Sequence, residues 1–346
     1  MTNDHNYKFR ISAKKSNGNL GKTSKESLTA KPFSDTWLSG DTGTVSIYHK
    51  NGKKYKSHTY LYDPANSTNN QTSYTLNFTD TTRNVDYIVI GGGAAGGSFS
   101  GGVAYGGGGA GGVQVVYQDT ITAGNQTVLV GEGGIASGHL PVNGYDSSFN
   151  GKTGYRGGHG SGNGGPSGSS NAGGAANQGN TVRDLPTSSD VAGGYAGGNG
   201  TSSGEKSGGS GGGARSAGEN SKAGVEDVGG AGIPNDFRDG TYQWYAGGGG
   251  GGRETQTSSS ITYGSEPGGG ANASRVGVPY SLYKDRGGHG GIGVSGDAHF
   301  LAPVSGHSDT GNGGGAGGND NDSTGTAGGN GGSGIVIIRY EIPTSE

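Results

Sequence analysis

Hydrophobic residues along this chain are gathered into short strings separated by polar or glycine-rich stretches. The first part contains four strings of β-forming residues, at 7–12, 44–49, 54–62 and 74–78. Their apolar and polar positions alternate in the manner of half-buried strands. Asn51-Gly52 separates two of them and predicts a type I′ hairpin turn. We therefore predict a small β domain over residues 1–84.

Glycine dominates the remainder, residues 85–346. Four β-prone strings occur there, at 85–90 (VDYIVI), 113–121 (VQVVYQDTI), 127–130 (TVLV) and 335–342 (IVIIRYEI). Nine glycine-rich runs lie between them, at 91–97, 106–112, 157–165, 193–200, 208–213, 247–252, 287–291, 311–318 and 328–334. The spacers between the runs hold most of the aromatic and charged residues.

A glycine-rich run has two physical alternatives. One is a flexible linker. The other is an extended helix of the polyproline II type, with three residues per turn and no internal hydrogen bonds. Such helices pack side by side only where facing residues lack side chains, and their backbones then hydrogen-bond to one another. Nine runs of similar length favour the bundle. The predicted fold is mainly β and irregular, with short strands framing a polyglycine II-type bundle that displays variable loops.

Composition excludes several other classes of protein. Glycine accounts for 83 of the 346 residues, whereas Leu, Ile, Val and Phe together account for 49. An ordinary helical domain is incompatible with this, because each interior glycine costs about 1 kcal/mol relative to alanine. Collagen is excluded by the lack of a Gly-X-Y register and by only 10 prolines. No disulfide is expected without cysteine, and neither a secretory signal nor membrane insertion is expected.

Charge is divided unevenly along the chain. Residues 1–84 carry 12 Lys/Arg against 6 Asp/Glu, and the remainder carries 12 against 21. The basic segment is either a solvated lysine-rich face or a surface that docks onto an acidic protein. Nucleic acid is not expected as a partner, since the recognised aromatic-basic motifs are absent.

Motifs for cofactors and metals are present only in incomplete form. Gly91, Gly93 and Gly96 satisfy G-x-G-x-x-G after a strand, but a dinucleotide site needs a helix next, and residues 96–112 are too rich in glycine to form one. His159 fits a bundle edge, bonded to a backbone carbonyl, better than a metal site. Residues 320–325 resemble half a calcium loop without its final Glu. We predict no catalytic residues, no cofactor and no metal.

The aromatic spacers are the strongest functional signal. Flat rings beside carboxylates, amides and guanidinium groups suit sugar rings and outer-membrane loops, because they combine stacking with directional hydrogen bonds. The alternative is that some of these rings pack against the bundle and replace the core that glycine cannot supply. The candidate contact residues are Phe237, Arg238, Asp239, Tyr242, Trp244, Tyr245, Tyr280, Tyr283, Asp285, Arg286, His299 and Phe300.

Residues 85–342 resemble the glycine-rich domains of bacteriophage tail-fibre and adhesin proteins. The resemblance rests on the strand and run 86–97, on GGVQVVY at 111–117 and TVLVGEGG at 127–134, and on DSSF at 146–149. It also rests on WYAGGGGGG at 244–252 and above all on the closing GGNGGSGIVIIRY at 328–340. It implies a polyglycine II core whose variable loops contact a host surface.

The resemblance implies a non-enzymatic virion protein, a tail fibre or surface adhesin assembled in the host cytoplasm. Residues 1–84 would attach it to other virion proteins, and loops would bind a host glycan or outer-membrane protein. A homo-oligomer is expected, a trimer being common among fibres. The alternative is a decoration protein or self-assembling filament subunit without a receptor role.

Overall fold

The computed structural model describes residues 7–8, 29–30, 38–79, 82–98, 106–137, 140–160, 191–200, 208–221, 228–252, 303, 305–317 and 327–342. The strands, in chain order, are β1 Tyr7–Lys8, β2 Thr29–Ala30, β3 Leu38–Gly40, β4 Thr44–Lys50, β5 Lys53–Leu61, β6 Ser67–Thr68, β7 Gln71–Phe78, β8 Thr82–Ile90, β9 Val113–Ile121, β10 Gly124–Gly131, β11 Ala136–Ser137, β12 Leu140–Pro141, β13 Ser147–Phe149, β14 Lys152–Gly154, β15 Val191–Gly193, β16 Ile233–Asn235, β17 Gln243–Tyr245 and β18 Ile335–Ile342. The only helix among the described residues is a 3₁₀ turn at Pro64–Asn66.

Two six-stranded antiparallel sheets form the framework. Sheet I has the order β15-β9-β8-β18-β5-β4, and sheet II has the order β14-β13-β10-β7-β3 with β6 beside β7. The closing strand β18 lies between β5 and β8 and pairs with both, so the last strand of the chain is bonded to two strands from its first third. The predicted mainly β fold is confirmed.

The main hydrophobic core lies between the two sheets. Sheet I contributes Tyr60, Val89 and Val336, and sheet II contributes Leu76 and Phe149. Alternate residues of β18 point to opposite faces, as the pleat requires. The odd-numbered ones, Ile335 and Ile337, therefore belong to a second core on the outer face of sheet I. Burial on both faces explains why the closing strand is almost continuously hydrophobic.

The sequence-predicted strands match the structure closely. The strings 113–121 and 335–342 coincide with β9 and β18, and the strings 44–49, 54–62, 74–78, 85–90 and 127–130 differ from their strands by up to three residues at the ends. Of the string 7–12, only residues 7–8 belong to the described part of the chain. The predicted hairpin turn is confirmed, since Asn51 and Gly52 have φ angles of 51° and 76°.

Both sheets combine strands from either side of residue 84. In sheet I, β18 pairs with β5 through eight residues, and in sheet II, β10 pairs with β7 through eight residues. The described strands of residues 38–79 are therefore built into the same sheets as those of the glycine-rich region. The division into an attachment domain (1–84) and a glycine-rich domain (85–346) stays a prediction.

The glycine runs that the structure describes form hydrogen-bonded extended helices, and residues 91–97 show their repeat of three residues most clearly. Within residues 91–97, every third N–H donates to the same neighbouring run. Gly91, Ala94 and Gly97 donate to residues 112, 109 and 106, at 2.9–3.1 Å. The intervening residues donate to two other segments, around 142–145 and 329–332. A threefold extended helix directs successive N–H groups to three different sides, so this pattern identifies the polyglycine II type.

Residues 91–97 are surrounded on all sides by other backbones. Besides the three segments that accept its hydrogen bonds, segments at 157–160 and 314–317 and the N–H of Gly134 donate to its carbonyls. At Gly93 an added Cβ would overlap the carbonyl group of Asn312. Glycine is needed here for close approach, and the G-x-G-x-x-G pattern belongs to this packing and not to a dinucleotide-binding helix.

Substituting one buried glycine of the bundle will test this packing. We expect Gly93→Ala to lower the free energy of unfolding by about 3 kcal/mol or more, because a methyl group cannot enter a filled site without moving backbone. Calorimetric or chemical unfolding measures the loss. The control is Gly52→Asn, since nothing lies within 4 Å of an added Cβ there and asparagine tolerates a positive φ. Equal stability of Gly93→Ala and the native chain would contradict the packing.

Candidate functional site

The aromatic loop (residues 233–246) lies on the outer face of sheet I. Its ends form the hairpin β16–β17, in which Ile233 pairs with Tyr245. Phe237 and Tyr245 are each only 1% exposed and belong to the second core, together with Ile335 and Ile337 of the closing strand. These two rings attach the loop to the sheet.

A buried arginine lies beneath the loop. Arg339 of β18 is 9% exposed. Its Nε donates to Asp86 Oδ2 on β8 at 3.0 Å, and its Nη1 donates to Asp236 Oδ1 of the loop at 2.9 Å. The guanidinium also stacks 3.9 Å from the ring centroid of Phe237. One side chain therefore joins two strands of the sheet to the loop.

Strand β4 supplies further contacts to the same loop. Lys50 Nζ forms an ion pair with Asp236 Oδ2, so two cations share one buried carboxylate. The Tyr48 hydroxyl donates to the carbonyl of Phe237 at 3.0 Å. These contacts give hydrogen-bond or charge partners to polar groups whose burial without a partner would cost free energy.

Burial and these partners also change the proton affinities in the cluster. Burial acts to lower the pKa of Arg339, but its hydrogen bond to Tyr48 and its ion pair with Asp86 outweigh this and raise it. Burial is the main reason that the pKa of Tyr48 is raised. At neutral pH both groups therefore keep the protonated forms that the network needs.

The tip of the loop is braced by its own residues. The Asp239 carboxylate accepts hydrogen bonds from the backbone N–H of Thr241 at 2.9 Å and from the side chain of Gln243. Gly240 has a φ of 84° and packs on the ring of Tyr48, where a side chain would collide with the ring. These contacts brace the backbone of the tip against β4 and within the loop.

Burial separates the candidate contact residues that the structure describes. Tyr242 is 69% exposed. Asp239 is also exposed, and Arg238 and Trp244 are half-buried, while Phe237 and Tyr245 pack inside. The sequence left packing and recognition open as alternatives; Phe237 and Tyr245 take the packing role, and recognition by the exposed residues stays a prediction. The remaining candidates lie outside the described residues: Tyr280, Tyr283, Asp285, Arg286, His299 and Phe300.

The network around Arg339 was missed by the sequence reasoning. The available signal was a single arginine within the hydrophobic string of β18, since a charge in a buried strand needs a partner. Arg339 pairs with Asp86 and Asp236, and Lys50 pairs with Asp236. These residues are far apart in sequence, and no local pattern joins them.

Other features of the described residues complete the picture. His159 Nδ1 lies 3.4 Å from the carbonyl oxygen of Gly160, as expected for a bundle edge. Among the described residues, no three His, Asp or Glu side chains converge on a point that could hold a metal ion. No described helix has the length and apolar character needed to cross a membrane.

A known family model matches most of the chain. Residues 67–341 fit a family model described as a glycine-rich domain. None of the curated proteins matches the chain.

Removing the buried arginine will test how the loop is held. We expect Arg339→Gln to lower the free energy of unfolding by about 3 kcal/mol, because the Asp86 carboxylate loses its cation and Asp236 keeps only Lys50. Urea unfolding gives this value. The control is Lys53→Gln, which breaks an exposed ion pair to Glu341 on the same strand and should leave the melting temperature unchanged. Similar effects of both variants would show that the network does not hold the loop.

Alkaline unfolding will test the burial of Tyr245. Burial raises its pKa from 10.0 to about 12. The folded state therefore binds the phenolic proton more tightly than the unfolded state, and stability present below pH 10 is lost as the pH rises towards 12. We expect the slope of unfolding free energy against pH to become less steep in Tyr245→Phe over this window. An unchanged slope would contradict burial of the hydroxyl.

Proposed function

The chain belongs to the glycine-rich domain family, and from this premise we propose that it is a non-enzymatic virion structural protein, a tail fibre or surface adhesin. Its aromatic loop binds the host surface. The observation that carries the proposal is that Arg339 and Phe237 attach the loop to sheet I, while the side chain of Tyr242 is exposed to solvent.

A preformed aromatic surface suits recognition of a cell surface. Tyr242, Trp244 and Arg238 offer two rings and a guanidinium group within one short hairpin. Rings and charges of this kind bind sugar faces and protein loops, and a rigid loop loses little conformational entropy on binding. The host partner is accordingly a cell-surface glycan or an outer-membrane protein.

The resemblance to phage fibres supports the rest of the assignment. Residues 1–84 attach to other virion proteins, and their excess of basic residues fits an acidic docking surface. The protein assembles in the host cytoplasm as a homo-oligomer, with a trimer as the common form of such fibres, and it is displayed on the virion.

A second candidate function is a decoration protein or filament subunit. Strand β4 is the last strand of sheet I among the described residues, and it exposes Val45 at 43% and Ile47 at 54%. An exposed hydrophobic edge strand favours pairing with another chain. In this alternative the loop residues would contact neighbouring subunits.

Cell binding will test the adhesin. Labelled protein is added to a panel of bacterial strains and binding is measured by flow cytometry. We expect binding to a subset of strains, with a loss of about tenfold or more in the double variant Tyr242→Ala, Trp244→Ala, because aromatic anchors carry much of the energy of an interface. The matched control is Tyr155→Ala, an exposed tyrosine outside the loop.

The outcomes distinguish the two functions. The variants must keep the native melting temperature for a loss of binding to count. Binding that persists without Tyr242 and Trp244 would reject the loop as the contact surface. Long regular filaments in negative-stain electron microscopy of the purified native chain, without binding to any strain, would favour the filament subunit.

A further inference from the structure

Two extended segments packed against residues 91–97 line a shallow groove that is open to solvent. Its volume is about 330 Å³, near the lower end of the roughly 300–1,000 Å³ typical of small-molecule sites. It shares no residue with the aromatic loop. Its lining consists of Val142, Asn143, Gly144, Tyr145, Arg156 and His159.

The three-residue repeat of the bundle aligns the side chains of the groove. The carbonyls of Val142 and Tyr145 accept from Ala95 and Gly92, and Gly157 and Gly160 donate to these same two residues. In a helix with three residues per turn, residues three apart lie on the same side. One wall is therefore the row of Val142 and Tyr145, and the other is the row of Arg156 and His159.

Side chains of one segment tie the two walls together. Asn143 Oδ1 accepts from the backbone N–H of His159 at 2.8 Å. Asp146 Oδ1 accepts from the backbone N–H of Arg156, also at 2.8 Å. Because both segments are also bonded to the central glycine run, the spacing between the walls is fixed by backbone and is present before a ligand binds.

The two walls differ in chemistry. Arg156 is exposed, and no carboxylate of the described residues lies within ion-pair distance of its guanidinium. Facing it is a largely apolar wall, in which Val142 is exposed and the ring of Tyr145 is half-buried. A simple inorganic anion would use only the cationic wall, whereas an apolar ligand would leave Arg156 unused.

We propose that this groove binds an acidic sugar, a pyranose ring that bears a single carboxylate. The guanidinium of Arg156 pairs with the carboxylate through its fork of N–H donors. The ring of Tyr145 packs on the sugar face, and the amide of Asn143 and the imidazole of His159 lie within the groove to bind hydroxyl groups. The neighbouring carboxylate of Asp146 disfavours ligands with several negative charges.

Titration of the purified full chain will test the assignment. The probes are methyl β-glucuronide, methyl β-glucoside and glucose 6-phosphate, followed by ligand-observed NMR. We expect the glucuronide to bind about tenfold or more tightly than the glucoside, because a charged hydrogen bond adds that much affinity. Arg156→Gln should remove this preference. Tyr145→Leu should weaken binding of both methyl glycosides, while Tyr242→Ala in the aromatic loop should change neither.

Several results would overturn the proposal. One is equal binding of the glucuronide and the glucoside, and another is a preference for the glucuronide that survives Arg156→Gln. A third is tighter binding of glucose 6-phosphate than of the glucuronide. The last is the absence of binding at roughly 10 mM ligand, because a dissociation constant above that value corresponds to a binding free energy too small for a site. Unchanged melting temperatures of the variants show that they fold. The titration uses no cells, so it succeeds or fails independently of the adhesin function of the aromatic loop.

Discussion

Close approach of one backbone to another is the constraint on which this structure depends. Within the bundle, N–H and C=O groups of neighbouring runs bond directly, for example Gly108 to Gly314 at 2.8 Å. At Gly313 a Cβ would overlap the carbonyl of Gly108, so only a chain without side chains there can form the bond. In the bundle, satisfied backbone hydrogen bonds therefore take the place of an aliphatic core. Each N–H or C=O group would cost free energy if it were buried without a hydrogen-bond partner.

The sheets supply the hydrophobic core that the bundle lacks. Three neighbouring strands of sheet I, β9, β8 and β18, continue directly into the runs 106–112, 91–97 and 328–334. The strand register therefore sets where each run begins, and the hydrophobic residues between sheets I and II fix that register. A small apolar core thereby aligns these three runs, because each of them begins or ends at a strand.

Most of the chemically varied side chains lie in the segments that connect the runs. The aromatic loop and the groove both use this arrangement, but in different ways. The loop is held by a buried ion network around Arg339, whereas the groove is held by the backbone hydrogen bonds of the bundle. In both cases a rigid support holds exposed side chains in place, which lowers the entropy lost when a partner binds.

The sequence by itself determined the mainly β class, the positions of the long strands, the hairpin at Asn51-Gly52 and the three-residue geometry of the glycine runs. These depend on local residue patterns and on the absence of side chains, which are properties of short segments. Only the tertiary structure decided that β18 lies between β5 and β8, that Phe237 and Tyr245 pack while Tyr242 is exposed, and that Arg339 meets Asp86 and Asp236. The physical reason is that burial and ion pairing depend on residues up to 288 positions apart, whose meeting is set by the order of strands and runs and not by any local pattern.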